Sequence, residues 1–249
     1  MMVLLIDAGN SRIKWALIQD DVWQQHGQLE NGQAATLPEL FSELPSPHKV
    51  LVSNVAGEYM GQQLRVACAA WSCPIDFISA QVEQCGVRNT YQPAAQLGSD
   101  RWAALIAARH QLGTASLVVD CGTATTIDAL SAEGEFLGGL ILPGLSMMRL
   151  SLNAGSALQV QKEGEQKIFP RNTADAIFSG AIQATVGAIQ LQFEALITHG
   201  TTRGAACCLL SGGAADCLQS HLKLPLVREE NLVLRGLQII GHIEQGVRA

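Results

Sequence analysis

The chain has 249 residues, 48% of them hydrophobic and only 15% charged, with a formal net charge of −6. A composition this apolar can bury a core and excludes a disordered chain, and 16 Lys and Arg against 22 Asp and Glu leave no general basic field for nucleic acid. A membrane span needs roughly 20 consecutive apolar residues, and the stretch from Phe136 to Met148 is shorter and interrupted by Gly138, Gly139, Pro143 and Gly144.

The opening run Met-Met-Val-Leu-Leu-Ile stops at Asp7 with no basic segment before it and no small-residue cleavage site, so no signal peptide is read. The seven cysteines are odd in number and contain no C-x-x-C pair, which fits small core residues in a reducing compartment. A soluble, cytoplasmic protein is expected, without nucleic-acid or membrane partners.

In chain order, β-branched and aliphatic runs predict strands at 2–7, 12–19 and 22–28, separated by turns at Ala8-Gly9-Asn10 and Asp20-Asp21. A polar, Pro-containing stretch with a short helix leads to a strand at 49–54. Met60, Leu64, Ala67 and Trp71 recur at helical spacing and predict a helix over 57–71. A strand at 75–79, a Gln- and Asn-rich loop and a helix at 101–112 complete the first half. The second half repeats the order: strands at 116–121, 125–131 and 135–141, a helix at 145–153, a charged loop at 155–171 and a long Ala-rich helix at 174–198. A strand at 205–211, a helix after Gly213, a strand at 226–227 and a helix at 232–244 follow.

The repetition extends to residues. Asp7-Ala8-Gly9-Asn10 and Asp120-Cys121-Gly122-Thr123 each end a first strand and open a hairpin, 113 residues apart. A period of that length signals a duplicated domain, not a solenoid. The boundary is expected near Gly113-Thr114, giving domains 1–113 and 114–249.

A carboxylate at a strand end, followed by Gly and a small polar residue, suits a metal–phosphate group: the carboxylate orders metal-bound water and the bare Gly admits phosphate oxygens to backbone N–H groups. One such turn is also an ordinary hairpin; two in duplicated domains point to a phosphate clamp. Lys14 on the returning strand could reach a phosphate or be an exposed strand residue. Leu209-Leu210-Ser211-Gly212-Gly213-Ala214 runs a buried-type strand into a double glycine, either a tight turn or a place where a purine or ribose lies on bare backbone. No P-loop pattern is present. Asp100, opening the helix at 101, is either an N-cap with Ser99 or a base that receives a substrate hydroxyl proton, with Arg101 as a fork for an anionic group. Gly180, Ala184 and Ala188 form a small-residue stripe suited to a core, the favoured reading, or to a dimer seam.

These motifs together resemble type III pantothenate kinases, of the superfamily that includes acetate and sugar kinases, Hsp70 and actin. Asp7-Ala8-Gly9-Asn10-Ser11 is similar to the family's D-x-G-N-[ST] motif, Gly98-Ser99-Asp100-Arg101 to G-x-D-R, and Asp120 to Thr125 to D-x-G-T-A-x. Gly138 to Gly144 resembles G-G-x-I-x-P-G, and Asn172-Thr173 precedes the long helix as in the family.

The resemblance implies an α/β fold of two duplicated ribonuclease H-like (actin-like) domains, each a mixed five-stranded sheet flanked by helices, with the active-site cleft between them. It implies transfer of the ATP γ-phosphoryl group to pantothenate, giving 4′-phosphopantothenate in the first step of coenzyme A synthesis. Asp100 would be the general base. Asp7, Ala8, Gly9, Asn10, Ser11, Arg12, Ile13, Lys14 and Thr123 would hold ATP, and Asp7 would meet Mg²⁺ through water. Asp120 would bind a monovalent cation, K⁺ or NH₄⁺. Tyr91, Gly98, Ser99, Asp100, Arg101 and Thr173 would contact pantothenate, Thr173 from the partner of a homodimer whose substrate site lies near the interface; otherwise Thr173 is a plain N-cap. The alternatives are another small-molecule kinase of the superfamily and a nucleotide-binding regulator without catalysis.

Overall fold

A computed structural model describes residues 1–155, 164–199 and 206–246. Residues 156–163 of the loop expected at 155–171 and the first residue of the strand expected at 205–211 lie outside the described residues. Two compact units emerge: Met1–Gln111 with the chain from Asn231 onward, and Leu112–Glu230.

The first unit is built on β1 (Met2–Ala8), β2 (Arg12–Gln19), β3 (Val22–Glu30), β4 (Lys49–Asn54) and β5 (Ile75–Phe77), in the sheet order β3-β2-β1-β4-β5. β1 to β3 form an antiparallel meander, while β4 and β5 add in parallel on the other side of β1. Parallel neighbours require crossovers, supplied by α1 (Leu37–Ser42), which follows a 3₁₀ turn, and α2 (Glu58–Ala67). A two-stranded ribbon, β6 (Glu83–Gln84) with β7 (Val87–Arg88), precedes α3 (Ser99–Leu112). The near-continuous apolar run of β1 follows from its place at the sheet centre, where both faces are covered. Leu4, Ile6 and Ala8 pack with Leu37 and Phe41 of α1 and with Met60 and Leu64 of α2.

The second unit repeats this topology with β8 (Ser116–Cys121), β9 (Ala124–Leu130), β10 (Phe136–Pro143), β11 (Cys207–Ser211) and β12 (Leu226–Arg228), in the order β10-β9-β8-β11-β12. Its helices are α4 (Leu145–Gly155), α5 (Thr173–Thr198) and α6 (Ala215–Gln219). Ala181, Ile182, Val186, Ile189, Phe193 and Leu196 of α5 close the core over Leu117, Val119 and Ile127.

The units depart from the domains expected at 1–113 and 114–249 in one respect. The last helix, α7 (Leu232–Gly246), belongs to the first unit, where Leu234 and Leu237 cover Val3, Leu5, Ala16, Ile18 and Leu51. The physical reason is the second apolar face of the first sheet, which the residues packed by α1 and α2 leave to be covered. The stripe of small residues divides against the core reading: Gly180 and Ala184 are exposed, and a methyl group on Gly180 would meet nothing within 4 Å, whereas Ala188 is partly buried against the core of the second unit.

Candidate active site

The two expected phosphate turns sit at equivalent places in the two sheets. Asp7 lies at the end of β1, opposite Lys14 of β2 and in register with Ser53 of β4. Asp120 lies at the end of β8, opposite Thr126 of β9 and in register with Ser211 of β11. Cross-strand partners share a face, so Asp7 and Lys14 project to the same side of the first sheet, whereas Asp120 has a threonine across from it. Each turn is closed by its glycine: Gly9 N donates to Arg12 O at 3.0 Å and Gly122 N to Ala124 O at 3.0 Å.

What surrounds each glycine separates ligand approach from internal packing. A methyl group on Gly9 would meet only Arg12 O, at 3.4 Å, and one on Gly122 only Ala124 O, at 3.6 Å, both ordinary contacts. The fold's own packing therefore does not require these two glycines, and their bare surface faces open space. Gly144 and Gly212 are the opposite case. Gly144 donates its N–H to Thr123 O at 2.9 Å, and a methyl group there would sit 2.5 Å from that oxygen. The last glycine of the G-G-x-I-x-P-G segment thus seats the second phosphate turn. Gly212, at φ +92°, lies with its Cα against the Cys121 backbone, where a methyl group would come within 2.5 Å. Its bareness is used by β8, so Gly212 is accounted for without a purine.

Of the expected ATP segment, Ala8 and Ile13 have fully buried side chains and can offer a ligand only backbone. Asn10, Ser11, Arg12 and Thr123 are exposed at or beside the turns, and Asp7, Lys14 and Asp120 are half-buried.

The segment expected to meet the substrate gathers at the start of α3. Ser99 is the first residue of that helix and Asp100 lies in its first turn, where Asp100 Oδ1 accepts from Arg101 N at 2.7 Å. A methyl group on Gly98 would stand 2.5 Å from the same carboxylate oxygen, so glycine at 98 makes room for the Asp100 carboxylate. Burial pushes the Asp100 carboxyl above the ordinary carboxylate range, against the opposing pull of the Arg101 N–H and guanidinium. Arg101 is buried, with Nη1 3.4 Å from Tyr91 Oη and its guanidinium 5.7 Å from the Tyr91 ring centre. Tyr91, Gly98, Asp100 and Arg101 are thus brought together within the first unit.

Two residues passed over in the sequence organise this site. Ser53, buried and in register with Asp7, hydrogen-bonds Ser99 Oγ at 2.9 Å, tying β4, the strand beside the first turn, to the head of α3. Asn89 is buried; its Oδ1 accepts from Tyr91 N and its Nδ2 donates to Ala94 O, both at 3.0 Å, fixing the loop that carries Tyr91. A Ser near the end of an apolar strand and an Asn in a polar loop are their only marks in the sequence, and neither mark names a partner.

Thr173 lies in the other unit, exposed at the first position of α5. Asn172, not Thr173, is the N-cap: its Oδ1 accepts from Asp175 N at 2.9 Å. With the cap role filled, the Thr173 side chain is left on the surface.

Among the described residues no group of three His, Cys, Asp or Glu side chains could cage a metal ion. A divalent ion carried on nucleotide phosphates, meeting one carboxylate and otherwise water, needs no such cage and fits the donor set around Asp7. None of the seven cysteines forms a disulfide, and burial raises the Cys68 and Cys208 thiols to about 12, which suits inert core residues. No helix among the described residues is long and apolar enough to cross a membrane.

A family model for type III pantothenate kinase matches residues 3–195. The type III pantothenate kinase of Aromatoleum aromaticum is 45% identical over 239 residues, covering 96% of this chain and 97% of the relative. The chain belongs to the type III pantothenate kinase family. Membership gives the motifs one frame and brings ATP and a divalent cation as the co-reactants of a kinase. Solved structures agree on the fold. A Campylobacter jejuni chain described as a Baf family transcriptional activator is 23% identical, with a TM-score of 0.64 and coverage of 99% of this chain and 100% of that one. The activator of 2-hydroxyisocaproyl-CoA dehydratase from Clostridium difficile, which has ADPNP bound, is 10% identical, with a TM-score of 0.51 and coverage of 100% and 97%. Two actin-like domains, each with a mixed five-stranded sheet flanked by helices, therefore make up this member of the family.

Proposed function

We propose that the protein phosphorylates pantothenate at its primary hydroxyl with Asp100 as the general base, the first step of coenzyme A biosynthesis. The observation that carries the assignment of the base is the Asp100 carboxylate: it is half-buried, raised in proton affinity by desolvation, accommodated by Gly98 and neighboured by Arg101 and Tyr91. The pantothenate hydroxyl oxygen forms a bond to the γ-phosphorus as the bond from that phosphorus to the ADP oxygen breaks, and the hydroxyl proton passes to Asp100. A loose phosphoryl-transfer transition state asks mainly for a positioned nucleophile, and a carboxylate with raised proton affinity also accepts the alcohol proton better than an exposed one.

Asp7 through Lys14, with Thr123, hold ATP through turn N–H groups and the Lys14 ammonium, and the nucleotide bound in the actin-like fold of the dehydratase activator supports that role. When bound, Mg²⁺ supplies charge neutralisation of the phosphates, with Asp7 ordering its water. Asp120 takes the monovalent cation. Tyr91, Gly98, Ser99, Arg101 and Thr173 orient pantothenate.

A homodimer completes the reading. Ile141 on β10, Leu150 on α4 and Leu191 on α5 are each more than 60% exposed, and Gly180 and Ala184 leave the exposed face of α5 free for close approach. A second copy covering this surface brings its Thr173 to the substrate. An odd number of cysteines without a disulfide among them supports a cytoplasmic setting.

The test is ADP release coupled to a colour readout, with ATP, Mg²⁺ and a panel of pantothenate, pantetheine and simple sugars. Pantothenate-dependent release is expected; release with a sugar alone would replace the substrate. Exchanging K⁺ for Na⁺ is expected to slow turnover sharply, and equal rates in both salts would remove the Asp120 assignment.

A further inference from the structure

We infer that Asn31 is the positioning residue of the first phosphate turn, holding its carbonyl oxygens back so that its N–H edge is presented to the nucleotide. A backbone turn that binds phosphate must offer donors and turn its carbonyl oxygens away, because those oxygens repel the anion. Asn31 engages two carbonyls of the turn at once: its backbone N–H donates to Ser11 O at 2.9 Å and its side-chain Nδ2 donates to Gly9 O at 2.8 Å.

The register of the sheet places it there. Arg12 pairs with Glu30, so the next residue of the chain, Asn31, falls beside Ser11. The 3₁₀ turn Asn31–Thr36 is held by a capping box, with the Glu30 side chain accepting from the N3 backbone and the Gln33 side chain accepting from Glu30 N.

A second observation separates this role from simple packing. Asn31 Oδ1 is buried with no hydrogen-bond partner, so the acceptor half of the amide is stranded while the donor half grips Gly9. A position selected for volume alone would avoid a stranded polar atom. The second turn is held by a different device to the same end, since Gly144 N takes the Thr123 carbonyl.

The inference rests on the reading that the first turn holds ATP, so the experiment carries a control for that reading. Steady-state kinetics are compared for Asn31→Ala, Asn31→Asp and Lys14→Ala, varying ATP and pantothenate separately. Asn31→Ala, which removes the Gly9 bond, is expected to raise the ATP KM about tenfold and to leave the pantothenate KM within about twofold. Asn31→Asp keeps the size but sets a carboxylate against Gly9 O, and is expected to raise the ATP KM at least as far. A merely structural residue would lower the active fraction, and so kcat, with both KM values unchanged; that outcome overturns the inference. If Lys14→Ala raises the ATP KM and neither Asn31 variant does, Asn31 has no positioning role. If none of the three does, the first turn is not the ATP site and the inference falls with it. Failure of both Asn31 variants to fold would make the residue structural and would equally overturn the assignment.

Discussion

Asp100, the proposed base, has a half-buried carboxyl group, and its contribution to stability and its proposed chemistry depend on pH in opposite senses. Its folded-state pKa is raised, with burial the largest cause. The folded state therefore binds this proton more readily than the unfolded chain, so the stabilisation the group contributes is present at low pH and is lost as pH rises through the raised value. At neutral pH the wild-type protein carries the cost of a buried charge. Asp100→Asn removes that cost, so the variant is expected to melt no lower than wild type at pH 7, with any advantage shrinking as the pH is lowered toward 4; thermal melts across pH check this. Turnover runs the other way: the base must be ionised, so kcat is expected to fall on the acid side at a pH above the usual carboxylate range, and Asn at 100 to cost on the order of 100-fold or more. Gly98 provides a second handle at this scale. A methyl group at 98 meets Asp100 Oδ1 at 2.5 Å, so Gly98→Ala is expected to swing the carboxylate aside and lower kcat by about tenfold or more. Near-wild-type kcat in Gly98→Ala would separate Asp100 from the chemistry.

At the scale of elements, the strands were the most legible part of the chain. The reading of 12–19 and 49–54 matches β2 and β4 residue for residue, because apolar runs bounded by turn residues mark both ends. The helix expected over 57–71 stops at Ala67, since the Cys68 to Trp71 stretch curls into turns in which Ala69 N bonds Val66 O and Trp71 N bonds Cys68 O. The ribbon β6–β7 was not legible: two-residue strands carry no periodicity. At the candidate site, the two Asp-x-Gly turns and the segment from Gly98 to Arg101 stand out in the sequence, because each gathers its residues consecutively. Ser53, Asn89 and Asn31 do not, because their roles depend on a register or a loop closure that joins distant residues. The destination of α7 was hidden for the same reason. An amphipathic helix declares that it has an apolar face, not which sheet it covers. Leu237 is fully buried on the first sheet, so Leu237→Ala is expected to destabilise the first unit by about 2–5 kcal/mol, measured by denaturant unfolding. A loss under about 0.5 kcal/mol would mean that this face is not held by α7.

Over the whole molecule, one topology is used twice with unequal outfitting. The first copy carries the turn with Lys14 opposite Asp7 and the segment with Asp100; the second carries a turn with Thr126 opposite Asp120, seated by Gly144. Duplication supplied two matching Asp-x-Gly turns, and only the first unit carries the helix that opens with Asp100, the proposed proton acceptor. The proposed homodimer would extend this division of labour to a second copy of the chain through the exposed apolar side chains of the second unit. Mixing an Asp100→Asn protein with a Thr173→Ala protein is expected to restore activity that neither has alone, and no recovery after demonstrated subunit exchange would place Thr173 outside a shared site. The central claim is that this member of the family transfers phosphate to pantothenate with Asp100 taking the proton. Its most direct test is pantothenate-dependent ADP release by wild type and Asp100→Asn, with ATP and pantothenate binding measured on both by calorimetry. The account predicts release by wild type, binding retained by Asp100→Asn, and its turnover reduced on the order of 100-fold or more; turnover by Asp100→Asn at the wild-type rate would contradict it.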